Sequence, residues 1–122
     1  MKTIIAGSRS ITDPMVVARA VTSVLESTEG FRITEIVSGA AKGVDTSGEL
    51  LAPFLNVPVK RFPADWERHG KRAGYLRNIE MADYADALIA VWDGASKGTK
   101  HMIDIAKQRG MLIHVCRIEG GN

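Results

Sequence analysis

VSGAAKGVDTSGE, residues 37–49, sets three glycines and a lysine among small residues. It directly follows the apolar run Ile33 to Val37 and directly precedes residues at helical spacing, so it reads as the turn from a strand into a helix. The same succession recurs along the chain. Short apolar runs at Lys2 to Ala6, Ile33 to Val37, Val57 to Arg61, Ala87 to Trp92 and Met111 to Cys116 alternate with helical patterns. Such alternation predicts right-handed βαβ crossovers and a doubly wound parallel sheet of about five strands, in a three-layer α/β/α arrangement.

The helices carry readable punctuation. Asp13 suits a cap and Pro14 a first turn; Val17, Val21, Val24 and Leu25 share one face, and Gly30 suits an end. In the next helix Val44, Gly48, Leu51 and Leu55 line a face, and Pro53 should kink or end it near Ala52. A third, over about Ala73 to Tyr84, is expected to turn Leu76, Ile79 and Ala82 inward. The last, over about Thr99 to Arg109, turns Met102, Ile103 and Ala106 inward and stops at Gly110.

With 122 residues, 45% hydrophobic and 25% charged, the chain suits one globular domain over 1–118 with a flexible tail at 119–122. A net charge of +2 permits an anionic ligand but falls short of a dedicated duplex-DNA binder. Cys116 is the single cysteine, and no run approaches membrane-spanning length, so a soluble cytoplasmic protein is expected. His69, His101 and His114 stand far apart and Cys116 has no thiol companion, so no metal site is expected.

In a doubly wound sheet, ligands bind beyond the carboxyl ends of the strands, where strand order reverses. Three loops fall at such ends: Gly7-Ser8-Arg9, the run from Ser38 and Gly39 through Lys42 to Gly43, and the run Asp93, Gly94, Ala95, Ser96, Lys97, Gly98, Thr99. Glycines let backbone NH groups approach a ligand, and a following helix start adds unpaired donors and the positive dipole end, a combination that holds phosphate. Lys42 offers a point charge, Arg9 a planar fork, and Ser8, Ser38, Ser96 and Thr99 hydroxyl donors. No G-x-G-x-x-G follows the first strand and no G-x-x-x-x-G-K-[ST] is present, which disfavours ordinary dinucleotide dehydrogenases and NTPases.

The densest charge lies between Lys60 and Arg77, where six cations face Asp65 and Glu67 with Trp66 among them. Trp66 there either stacks on a base or covers the edge of the core. Arg77-Asn78 sits early in the third helix, whose start should face the same rim.

Together Gly7-Ser8-Arg9, VSGAAKGVD (37–45), DWERHGKRAGYLRN (65–78) and ADALIAVWDGASKGT (85–99) resemble the YspA-type, cpYpsA-related branch of the SLOG superfamily over nearly the whole chain. That superfamily is Rossmann-like and includes the LOG phosphoribohydrolases and DNA-processing protein A; this branch is generally regarded as nucleotide-binding. The resemblance implies that Gly7, Ser8 and Arg9 form a first anion loop, Ser38, Gly39, Gly43 and Asp45 a second, and Gly98 and Thr99 a third. Arg77 and Asn78 match the superfamily's Arg-Asn pair. Asp45 either accepts from a ribose hydroxyl or caps a helix, and Asp93 either meets a ligand hydroxyl or holds a local turn. LOG enzymes carry P-G-G-x-G-T-x-x-E, whereas here Met102 stands where that glutamate would be. A thioether cannot act as acid, base or cation stabiliser, so the resemblance does not by itself imply LOG-type hydrolysis, which would need a carboxylate from Asp45, Glu49 or Asp93 instead.

Three functions follow. The leading one is binding of a nucleotide or nucleotide-derived ligand, as a sensor or sequestering protein. The second is hydrolysis of an N-glycosidic or phosphate bond in a nucleotide, with Asp45 and Asp93 as candidate catalytic groups. The third is single-stranded DNA binding like that of DNA-processing protein A, along Arg9, Lys42, Lys71, Arg72 and Arg77. A homodimer is expected from the small Rossmann-like domain.

Overall fold

A computed structural model describes residues 1–119; of the tail expected at 119–122, residues 120–122 lie outside the described residues. The elements run β1 (Lys2–Gly7), α1 (Pro14–Ser27), β2 (Glu35–Ser38), α2 (Val44–Glu49), α3 (Ala52–Leu55), β3 (Val59–Arg61), α4 (Trp66–His69), α5 (Ala73–Tyr84), β4 (Ala87–Trp92), α6 (Lys97–Gln108) and β5 (Leu112–Arg117). The five strands form one all-parallel sheet in the order β3-β2-β1-β4-β5. Helices cover both sides, so the fold is Rossmann-like α/β.

Alternation within the strands divides the core. Ile5 of β1 and Ile89 and Val91 of β4 point toward α1 and α2, meeting Val17, Val21 and Val44. Ile4, Ala6, Leu88 and Ala90 point the other way, toward Met81 of α5 and Met102 and Ile103 of α6. β1 and β4 are therefore apolar on both faces, as central parallel strands must be, while β5 at one edge is only half-buried. Among the described residues no helix is long and apolar enough to cross a membrane.

Local chemistry sets most boundaries. The Asp13 carboxylate accepts from Met15 N (2.9 Å) at the start of α1. Pro53 breaks the second helical pattern, but earlier than expected: α2 stops at Glu49, the residue whose carbonyl a proline four positions later would meet. The chain restarts as α3 with Pro53 in its first turn. In α5 the inward face also differs from the expected one. Asn78 and Met81 are buried with Ala73 and Ala82, whereas Ile79 is exposed. The polar Asn78 turns inward because the amino end of α6 supplies acceptors for its amide.

β2 and β3 extend the sheet to one side of β1, and the chain then returns to place β4 on the other side. The reversal opens a crevice between the carboxyl ends of β1 and β4. Two close approaches shape it. A Cβ on Gly7 would overlap the Val91 carbonyl oxygen, and Gly43, at φ +76°, sits where a Cβ would lie 2.6 Å from the carbonyl oxygens of Ser8 and Arg9. The first and second loops thus lean on each other backbone to backbone.

Candidate functional site

A cavity of about 430 Å³ occupies this crevice. β1 delivers Gly7, Ser8 and Arg9 to it. From the loop and helix after β2 come Ala41 and Asp45; from the opposite side, Trp66, Lys71, Tyr75, Arg77 and Asn78. Asp93, Ser96, Gly98 and Thr99 close it at the start of α6. All three expected loops therefore reach one space, although not with every residue.

Ser38, Gly39, Lys42, Gly43 and Gly94 stand outside the lining. The buried Ser38 hydroxyl donates to Glu49 Oε2 (2.6 Å) and accepts from Ala40 N (3.1 Å), and Glu49 in turn accepts from Arg61. That chain of bonds locks the end of α2 to β2 and β3. The Lys42 side chain is exposed. Gly94, at φ +85°, leaves room for the Arg117 guanidinium. The second loop thus contributes chiefly a carboxylate and a brace.

Asp45 accepts from Ala41 N (3.3 Å) and faces Arg77; it makes no cap bond to α2. Burial raises its carboxyl above the ordinary carboxylate value, more than Arg77 and the backbone donors of Ala41 and Gly7 lower it. For Arg77 the same competition runs the other way: burial lowers its guanidinium, Asp45 raises it, and Arg9 lowers it further. Desolvation outweighs attraction on both groups, which lie beyond ion-pair distance of each other. Arg77 also donates to the Gly39 carbonyl and, through Nε, to Asn78 Oδ1 (3.1 Å).

Asn78 ties α5 to α6. Its Nδ2 donates to the Gly98 carbonyl (3.2 Å) and to His101 Nδ1 (3.1 Å), so that nitrogen of His101 carries no proton. Burial holds the His101 imidazole below its ordinary value, in keeping with a neutral ring.

Asp93 holds a local turn. Its Oδ1 accepts from Ala95 N (2.8 Å) and Ser96 N (2.9 Å), and these bonds lower its carboxyl. Ser10 donates to Oδ2 (3.3 Å), and Asp93 N donates to the Ser8 hydroxyl (3.0 Å), which stitches the first loop to the third. Ser96 caps α6 by accepting from Thr99 N (3.4 Å). Gly98 and Thr99, in the first turn of this twelve-residue helix, line the cavity, at the end of the helix where NH groups lack an intrahelical partner and the dipole is positive.

Tyr75 was not among the residues picked out from sequence. Its signal was position: it lies one helical turn before Asn78, on the side of α5 that faces the rim.

Five parallel strands, helices on both faces and a cation-lined cavity at the reversal of strand order define a Rossmann-like domain with a cavity at its switch point. The chain belongs to the YspA, cpYpsA-related SLOG family, which matches residues 1–69, more than half of its length. Gene 61 protein of Mycobacterium phage D29 is 39% identical to it over 84 residues, 64% of this chain and 67% of that protein. No solved structure is significantly similar. Family membership suggests a nucleotide-related role and nothing finer.

Proposed function

We propose that the chain binds a nucleotide or nucleotide-derived ligand in the switch-point cavity, as a sensor or sequestering protein. The observation that carries this reading is convergence. The Ser8-Arg9 loop, the first turn of α6 and the Arg77 guanidinium meet in one 430 Å³ space whose outer wall holds two aromatic rings. Cations and helix-start NH groups suit phosphate, and aromatic rings suit a base. Arg9 is exposed and, among the described residues, has no carboxylate within ion-pair distance, so its charge is available to a ligand.

Thermal unfolding with and without adenosine monophosphate, guanosine monophosphate and ADP-ribose tests the reading, alongside native mass spectrometry of the protein as purified. Binding should raise the transition midpoint, by an amount equivalent to about 2.7 kcal/mol at a ligand concentration 100 times Kd. Arg9→Ala should weaken binding about tenfold or more, since a bond from a charged donor contributes about 1.5–3 kcal/mol. The reading is wrong if a broad nucleotide panel neither shifts the midpoint nor co-purifies.

One observation favours a second reading, hydrolysis. Asp45 presents a buried carboxyl, raised above its ordinary value, inside the same cavity, the condition under which carboxyl groups serve as acid or base near neutral pH. Asp93 fits that role less well, because both its oxygens already accept bonds within the chain. Release of base or ribose phosphate over time, abolished in Asp45→Asn while binding persists, would support it. A tightly bound nucleotide recovered intact after long incubation would argue for binding alone.

A further inference from the structure

The two tryptophans have different fates. Trp92 packs against the α5/α6 side of the core and donates from Nε1 to the Ser96 carbonyl (3.1 Å). Trp66 is 50% exposed, belongs to neither apolar cluster, and sits on a short helix none of whose residues is buried. It therefore does not anchor its segment to the core. Tyr75, 44% exposed, is likewise outside both clusters. Both rings line the cavity instead.

Neither ring hangs loosely. Trp66 Cη2 lies 3.5 Å from where a Cβ on Gly74 would stand, and the Arg9 guanidinium carbon lies 5.8 Å from the Trp66 ring centre. Tyr75, the next residue after Gly74, leans on the His101 ring with centroids 4.4 Å apart. His101 is itself held by the Asn78 amide. Two braced aromatic surfaces in a cation-lined space match a flat π system that carries an anionic group.

The amide and hydroxyl groups of Asn78, Ser8, Ser96 and Thr99, which could read the edge of such a ring, are already engaged. Among the described residues Asn78 supplies the only carboxamide in the lining, and its oxygen and nitrogen are bonded to Arg77, Gly98 and His101. The Ser8 hydroxyl accepts from Asp93 N, and the Ser96 and Thr99 hydroxyls bond each other (3.1 Å).

We propose that the ligand's base is held by stacking on Trp66 and Tyr75 and is not read at its edges. The site then prefers purine over pyrimidine nucleotides while treating adenine and guanine alike. This rests on the nucleotide-binding reading above and assigns Trp66 and Tyr75 as its specificity-determining residues. Stacking strength follows ring area and tolerates any edge pattern, whereas edge reading separates adenine from guanine.

Isothermal titration of the full chain with adenosine, guanosine, cytidine and uridine monophosphates and ribose 5-phosphate provides the test. Expected are adenosine and guanosine monophosphates within about threefold of each other and ribose 5-phosphate at least about tenfold weaker, the cost of one lost stack. Trp66→Ala and Tyr75→Ala should each bring adenosine monophosphate toward the ribose 5-phosphate value without changing ribose 5-phosphate itself, and Trp66→Phe should restore most of the difference. Ribose 5-phosphate binding as tightly as adenosine monophosphate would overturn the stacking assignment and leave phosphate binding intact. So would discrimination of about tenfold or more between adenine and guanine, the mark of edge reading. A folded Trp66→Ala protein with unchanged preferences would overturn it too. If none of the five ligands binds the wild type, the stacking assignment falls, whereas the nucleotide reading falls only if the broad panel and the co-purification test fail as well.

Discussion

A Gly7→Ala protein is expected to lose its cooperative thermal transition or to melt far below the wild type. The added Cβ would overlap the Val91 carbonyl oxygen and stand 2.8 Å from Val44 Cγ2. Val91 is no flexible side-chain tip: it pairs with Gly7 in the β1–β4 ladder, and its carbonyl accepts from Ser8 N (3.1 Å). Relief would require β1 to separate from β4 where the two central strands meet the cavity, which would also part Ser8 from Asp93. A loss of about 4 kcal/mol or more is expected, at the extreme of single substitutions. At about 4 °C per kcal/mol for a domain of this size, the midpoint should drop by about 16 °C. Gly98→Ala is the matched control, because a Cβ there meets nothing within 4 Å; its stability should stay within about 0.5 kcal/mol of the wild type. Circular dichroism melts of both variants decide the point. A wild-type midpoint for Gly7→Ala would mean that the strand ends are not held as closely as the structure has them.

That close approach was half legible in the sequence. A glycine ending an apolar run announces a turn, and the alternation of runs announces the parallel sheet, because period and punctuation are local properties. The same holds for the Asp13 cap and for the break caused by Pro53. Contacts that depend on strand order and register were not legible. Ser38 looked like a phosphate donor, yet the pairing of β2 with β3 sets Ser38 opposite Arg61, and Glu49 joins the two. Helical periodicity nominated Ile79 for the core, but the partner facing α5 at that height is the polar start of α6, and Asn78 satisfies it instead. Asp45 and Asp93 carried open choices because an aspartate after a glycine-bearing loop serves turns and ligands equally well. The bonds to Ala95 and Ser96, which engage Asp93 in its own turn, and the burial of Asp45 without a cap bond separate them.

Arg77→Met is expected to destabilise the protein most at neutral pH and progressively less toward acid. Asp45 is 5% exposed, and Arg77 is the side-chain cation that lowers its carboxyl. Arg77 lies beyond ion-pair distance of Asp45, so, besides the bonds that Arg77 makes to Gly39 and Asn78, its removal costs about 1.4 kcal/mol for each pKa unit by which the buried carboxyl then rises. Asp45 escapes that loss by taking a proton. Its folded-state carboxyl already lies above the ordinary value of 3.8, and without Arg77 it should rise further. A carboxyl raised on folding contributes stability that is fully present below the unfolded value and is lost as pH rises through the folded one. The window therefore opens near 3.8 and extends upward, further in Arg77→Met than in the wild type. Asp93 and Asp104 slope the other way, because their carboxyls are lowered on folding and their contribution is lost as pH falls. Differences between variants across pH separate these effects. Urea unfolding from acid to neutral pH should show the wild type losing ground to Asp45→Asn as pH rises, and Arg77→Met losing ground faster. The double variant Asp45→Asn, Arg77→Met should remove the pH-dependent part of the deficit, leaving only the bonds that Arg77 makes to Gly39 and Asn78. A deficit for Arg77→Met that is constant across this range would show that the guanidinium acts through those two bonds alone, and that the buried charge of Asp45 does not depend on it.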